Sequence, residues 1–134
     1  MGDRVGEPNG KQVPAPVPKA ILVVEDDVLI RLAVADDLMA AGFHVIQAAN
    51  ADEALKVLRS FVGVDLVLTD IHMPGSFDGL GLARQVRAGW PDLKIVVLSG
   101  DLPSVRPTDL ADAFLSKPYN FSAILAVVKQ LLGV

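Results

Sequence analysis

The sequence predicts an α/β fold: a doubly wound, five-stranded parallel sheet covered by helices on both faces. Three observations predict it. Short apolar, β-branched runs recur at Ala20–Val24, 64–69 and 94–98, with a half-polar run at His44–Ala48 and a brief one at Ala113–Ser116. Apolar residues at helical spacing stand between most of these runs. Four of the runs stop at a polar side chain. Runs this short, flanked by turn residues, fit strands buried on both faces. Strand–helix alternation then forces right-handed crossovers and a parallel sheet.

Residues 1–18 hold Pro8, Pro14, Pro16 and Pro18 among mixed charges. They show no apolar periodicity, the composition of a flexible tail, so the folded unit is expected over 19–134. Ala20–Val24 is the first strand, ending in Glu25-Asp26-Asp27. A helix follows, with Ile30, Val34, Leu38 and Ala41 on its inner face and Gly42 as its stop. A second apolar row, Val28, Leu32, Ala35 and Met39, lies beside that face. His44–Ala48 is half polar and suits a sheet edge, with His44 half exposed. Asn50 followed three residues later by Glu53 is a capping-box pattern, opening a helix through Ala54, Leu55, Val57 and Leu58.

Residues 64–69 form the third strand, and Asp70 follows it. After a loop over 74–79, residues 80–88 make a helix with Leu82, Ala83 and Val86 inward. Trp90-Pro91-Asp92 closes it, with Trp90 packing between helix and strand. The fourth strand, 94–98, stops at Ser99-Gly100. Pro103 and Pro107 interrupt the next interval, so the fourth helix is expected to be short or absent. Lys117-Pro118 follows the fifth strand. The last helix, Phe121–Leu132, is apolar almost all round, with Phe121, Ile124, Leu125, Val128 and Leu131 directed to the core.

Composition narrows the function. Hydrophobic residues make up 51% of the chain and aromatics 5%, so the core is built of Leu, Val, Ile and Ala. A net charge of −4 argues against a nucleic-acid surface, which needs clustered Lys or Arg. With no cysteine there is neither a disulfide framework nor a thiolate metal site. No apolar run approaches the length of a membrane span and no signal-peptide pattern opens the chain. A cytoplasmic protein is expected, without nucleic-acid or membrane contact.

Polar groups close four strands: Glu25 and Asp26 the first, Asp70 the third, Ser99 the fourth, Lys117 the fifth. On parallel strands they gather at the carboxyl edge of the sheet, where open α/β folds bind ligands. Clustered carboxylates repel one another unless a cation joins them. Hard oxygen donors without cysteine suit Mg²⁺. Lys117 can neutralise a phosphate oxygen and the Ser99 hydroxyl can donate to another. Asp70 can act as a nucleophile towards phosphorus, forming an acyl phosphate. Singly, each residue has a plainer explanation: a turn or cap for Asp70, acids at a helix start, a solvated lysine. Four strand ends carrying matched groups favour phosphoryl chemistry.

The stretches Ile21-Leu22-Val23-Val24-Glu25-Asp26-Asp27, Leu68-Thr69-Asp70-Ile71-His72-Met73-Pro74-Gly75, Asp78-Gly79, Val97-Leu98-Ser99-Gly100 and Phe114-Leu115-Ser116-Lys117-Pro118 carry a resemblance. From Lys19 onward the chain resembles the receiver domains of two-component response regulators. The resemblance implies a flavodoxin-like sheet of order 2-1-3-4-5. It implies Asp70 as the phosphoacceptor and Mg²⁺ held by Glu25, Asp26, Asp70 and the backbone carbonyl of His72, with Asp27 turned towards the helix. It makes Ser99 the hydroxyl switch, Phe114 the aromatic switch and Lys117 the phosphate-binding lysine. A histidine kinase or histidine phosphotransferase would be the donor, docking on the first-helix side, and a homodimer through the first and last helices is a further expectation. Such a switch catalyses its own phosphorylation and dephosphorylation and is no enzyme in the usual sense.

The chain departs from the family pattern in three places. The 74–79 loop is one residue longer, Phe114 replaces a more familiar tyrosine, and the interval from Ser99 to Phe114 is shorter by about one helical turn. Two other functions fit the residues: a docking module indifferent to phosphorylation, or a small aspartate-dependent phosphatase using His72. Because no output domain follows the last helix here, the expectation is a stand-alone receiver or a piece of a hybrid kinase or longer regulator.

Overall fold

A strand buried on both faces must divide its apolar side chains between two cores, and the central strands do so. In the computed structural model, which describes residues 17–60, 63–73, 75–76, 78–99, 110–116 and 120–134, the strands are β1 (Ala20–Val24), β2 (His44–Ala48), β3 (Val64–Asp70), β4 (Lys94–Ser99) and β5 (Ala113–Ser116). The described helices are α1 (Val28–Ala40), α2 (Ala51–Ser60), α3 (Gly79–Gly89) and α4 (Phe121–Leu132). All strand pairs are parallel and the sheet order is β2-β1-β3-β4-β5, as expected. Ile21, Val23, Leu66, Leu68, Val96 and Leu98 pack with Leu38 of α1 and with Ile124 and Val128 of α4. Their alternates Leu22, Val24, Val67, Ile95 and Val97 pack with Leu55 and Leu58 of α2 and with Leu82, Ala83 and Val86 of α3. The interval 100–109, where the fourth helix is expected to be short or absent, lies outside the described residues, as do residues 1–16 of the expected tail. No described helix is long and apolar enough to cross a membrane.

The helix termini follow local chemistry. Asp27 caps α1 by accepting from the Ile30 N–H at 3.1 Å. At the other end Gly42 takes φ +99°, donating to the Met39 carbonyl while Phe43 donates to that of Leu38. That is a Schellman closure, and the left-handed position suits a residue without Cβ. Phe43 is thereby tucked into the α1/α4-side core. At α2 the capping box closes as expected: Asn50 Oδ1 accepts from the Glu53 N–H, and Glu53 Oε1 accepts from the N–H of Ala49, each at 2.8 Å.

One expectation is corrected. The inner face of α1 is Ala35 and Leu38, with Val34 half-buried, whereas Ile30 and Ala41 are exposed. The first turn of α1 starts just past the end of β1, where the sheet no longer covers it, and Ala41 is already the C-cap. Ala35, expected in the outer row, belongs to the core.

The amino edge of the sheet is bound together by side chains. A register shift between Ala20 and Ile21 leaves Asp65 of β3 without a cross-strand partner. Its Oδ2 accepts from the Ala20 N–H at 2.8 Å. Arg87 of α3 donates to the carbonyls of Pro91, Leu93 and Leu110 and pairs with Asp112 at 3.1 Å. Asp112 in turn accepts from the Ile95 N–H at 2.8 Å. These contacts join the entry to β4 with the entry to β5.

Candidate functional site

Strand register brings the strand-end groups together. Val24 pairs with Thr69, so Glu25 and Asp70 leave neighbouring strands at the same level. Asp70 pairs with Leu98, which puts Ser99 one residue further along β4. One carboxylate oxygen each from Glu25, Asp26 and Asp70 lies within 4.8 Å of the others. Glu25 is 6% and Asp70 7% exposed, while Asp26 faces solvent. Ser99 and Thr69 are fully buried.

The turn after β1 is held on three sides. The Glu25 N–H donates to the Ala48 carbonyl at 3.1 Å, continuing the β1–β2 ladder. Glu25 Oε2 accepts from the Asp27 N–H at 3.0 Å. The Glu25 carbonyl accepts from Arg31 Nη1 at 2.8 Å. Because Asp27 spends its own carboxylate on the cap, it is turned to the helix, as expected, and Glu25 and Asp26 are left to the edge.

Asp70 sits where β3 gives way to a loop that returns to α3. The Ile71 N–H donates to Leu98 at 3.1 Å, and the Gly79 N–H donates to Ile71 at 2.8 Å. Thr69 Oγ1 donates to the Asp70 carbonyl at 2.9 Å. Gly79 is where the chain passes closest. A Cβ there would collide with the Asp70 carbonyl oxygen and come within 2.8 Å of the Asp70 carbonyl carbon and Ile71 Cα. Only glycine lets α3 begin this near Asp70. Asp78 caps α3 through the Gly81 N–H at 2.9 Å. Further out, the Ser76 hydroxyl donates to Asp52 of α2 at 3.1 Å.

The structure thus gathers Glu25, Asp26 and Asp70, with Ser99 at the adjoining strand end. His72 is exposed just beyond Asp70, and Phe114 of β5 is half-buried against the α2/α3-side core. Lys117 lies outside the described residues. Sequence reasoning missed Arg31 and Thr69, and read Gly79 only as part of a motif. Among the described residues, hollows of about 400 and 440 Å³ open at the amino edge, beside Trp90 and Phe43 respectively. The acidic cluster is at the other edge. There, three carboxylates without sulfur or imidazole among them form a hard, anionic donor set, the kind that Mg²⁺ takes.

Comparison with known proteins agrees with this geometry. Residues 21–129 match the family model described as the response regulator receiver domain. The chain is 38% identical over 120 residues to the response regulator MprA of Mycolicibacterium vanbaalenii, covering 87% of this chain and 51% of MprA. It is 33% identical over 117 residues to the sensor kinase CckA of Brucella abortus, covering 84% of this chain and 12% of CckA. It therefore spans about half the length of the first relative and a small part of the second. Among solved structures, the response regulator TrrA of Thermotoga maritima in complex with Mg²⁺-BeF superposes with a TM-score of 0.77 at 36% identity, covering 84% of this chain and 98% of TrrA. With strand order and acidic edge agreeing, the chain belongs to the response regulator receiver domains of two-component systems, signalling switches rather than conventional enzymes.

Proposed function

We propose that this chain is a phosphoryl-accepting switch in a two-component phosphorelay. Asp70 takes the phosphoryl group from a histidine kinase or histidine phosphotransferase. The observation that carries the reading is the meeting of Glu25, Asp26 and Asp70 within 4.8 Å at the carboxyl edge, with Asp70 almost buried. An Asp70 carboxylate oxygen attacks the phosphorus of the donor's phosphohistidine. The new P–O bond forms an acyl phosphate as the P–N bond breaks and its electron pair returns to the imidazole. Glu25, Asp26, Asp70 and the His72 backbone carbonyl would hold Mg²⁺, which when bound neutralises charge on carboxylate and phosphoryl oxygens. The similar Thermotoga maritima regulator, solved with Mg²⁺-BeF, supports that cation.

Ser99 and Lys117 complete the site in this reading, the hydroxyl donating to one phosphoryl oxygen and the ammonium neutralising another. New charge on Asp70 then biases Ser99 at the adjoining strand end and, one strand further, Phe114 within β5. Phe114 replaces a hydroxyl-bearing tyrosine, so its contribution is packing and rotation rather than a hydrogen bond.

The donor's docking face is α1. Val28, Leu29, Ile30 and Leu32 are all exposed apolar residues near the acidic edge, and Met39 continues them down the helix. A second copy of the chain meeting α1 and α4 is the alternative use of the same face. A phosphorylated histidine-containing donor protein mixed with this chain and Mg²⁺ should transfer one phosphoryl group, and EDTA should stop the transfer. A chain left unlabelled both by such donors and by acetyl phosphate would be a docking module instead.

A further inference from the structure

Arg31 stands on the second turn of α1 and reaches back across the β1–α1 turn. Its Nη1–H donates to the Glu25 carbonyl at 2.8 Å and its Nε–H to Gln47 Oε1 on β2 at 3.2 Å. That carbonyl belongs to the planar peptide joining Glu25 to Asp26, so anchoring it sets the direction in which the chain enters Asp26. Glu25 has further anchors through its N–H and its side chain. The Asp26 carboxylate is exposed and takes no part in these hydrogen bonds. Where it points is therefore set through the two peptides that flank it: Arg31 holds the one that enters Asp26, and Glu25 Oε2 holds the one that leaves it.

We infer that Arg31 is a positioning residue for the cation site, acting on Glu25 and Asp26 through the backbone between them. The inference rests on the reading that these carboxylates hold Mg²⁺. A guanidinium suits the task because its planar fork serves two acceptors at once, bracing the β1 turn against β2, where an ammonium serves one. Charge alone predicts the opposite effect. A permanent cation near a divalent-ion site repels the ion, so deleting it would tighten binding. The sign of the change separates the two roles.

The test is Mg²⁺ affinity of the full chain by calorimetry, with thermal unfolding measured in Mg²⁺-free buffer. Arg31→Met keeps the apolar stem and should bind Mg²⁺ about tenfold more weakly, at the low end of what loss of a supporting contact costs a metal site. Arg31→Lys, still able to reach the Glu25 carbonyl, should fall between it and the native chain. Gln47→Leu frees the outer end of the guanidinium without changing charge and should show a smaller loss in the same direction. It carries the test if the methionine variant does not fold. Native or tighter Mg²⁺ affinity in the variants overturns the inference, as does a lower unfolding temperature with unchanged affinity. If the native chain itself binds no Mg²⁺, the reading of the acidic edge fails, and the inference fails with it.

Discussion

The two edges of the sheet use polar side chains in opposite ways. At the amino edge, Asp65 accepts from the Ala20 N–H, Asp112 from the Ile95 N–H, and Arg87 donates to three carbonyls as well as to Asp112. Each polar group there answers a backbone group that would otherwise be short of a partner. At the carboxyl edge the backbone is served by other backbone groups, by Thr69, by Arg31 and by one oxygen of Glu25, yet carboxylate oxygens from Glu25, Asp26 and Asp70 still gather within 4.8 Å of one another. Like charges brought together oppose folding and are worth keeping only where a cation or ligand uses them. The amino edge uses its side chains to close the backbone, whereas the carboxyl edge gathers acids.

Gly79 is the position where both demands meet, and changing it should have the largest effect. In Gly79→Ala the added Cβ strikes backbone, which no rotamer change relieves. About 3 kcal/mol of stability should be lost in denaturant unfolding, the upper part of the usual overpacking range. Labelling by acetyl phosphate should fall as well, because the atoms struck belong to Asp70 and Ile71. A variant that keeps both would break the claim that this close approach shapes the site.

Mg²⁺ sharpens the contrast by linkage. At about a hundred times its dissociation constant, it should stabilise the native chain by about 2.7 kcal/mol. Asp26→Asn should lose most of that increment. Asp27→Asn should keep most of it, because an asparagine still caps α1. A greater loss from the Asp27 change would reverse the assignment of which acid faces the edge.

Arg87→Ala tests the amino edge in isolation. It removes charge-assisted bonds to four residues and should cost about 2 kcal/mol. The Mg²⁺ increment and the labelling rate of the folded fraction should stay native. Leu32→Glu and Met39→Glu, both on the exposed face of α1, should each change stability by no more than about 0.5 kcal/mol. They should leave acetyl phosphate labelling intact and slow transfer from a protein donor. Unchanged transfer and unchanged oligomeric state would remove α1 as the docking face.

Much of this layout was legible in the sequence. The strands show as β-branched runs between turn residues, and their polar ends converge once the strands are parallel. The inner faces of α2 and α3 were legible because charged residues such as Asp52, Glu53, Arg84 and Arg87 mark their outer sides. On α1 the phase was not. Val28, Leu29, Ile30, Leu32, Val34 and Met39 leave little polar stripe to orient the helix, so Ile30 and Ala41 read as core while Ala35 fills it. At the site the acids were legible by type and position. Arg31 was not, because it acts through a backbone carbonyl that leaves no trace in side-chain pattern. The role of Gly79 is equally silent, since what it contributes is space left empty beside Asp70.

The most direct measurement is the position of the phosphoryl group. After incubation with acetyl phosphate and Mg²⁺, borohydride reduction converts an aspartyl phosphate to homoserine, which peptide mass spectrometry can place. Homoserine is expected at position 70 alone, with neither phosphoryl gain nor homoserine in Asp70→Asn. Homoserine at Asp26, phosphate retained on Ser99 or His72, or undiminished labelling of Asp70→Asn would contradict it.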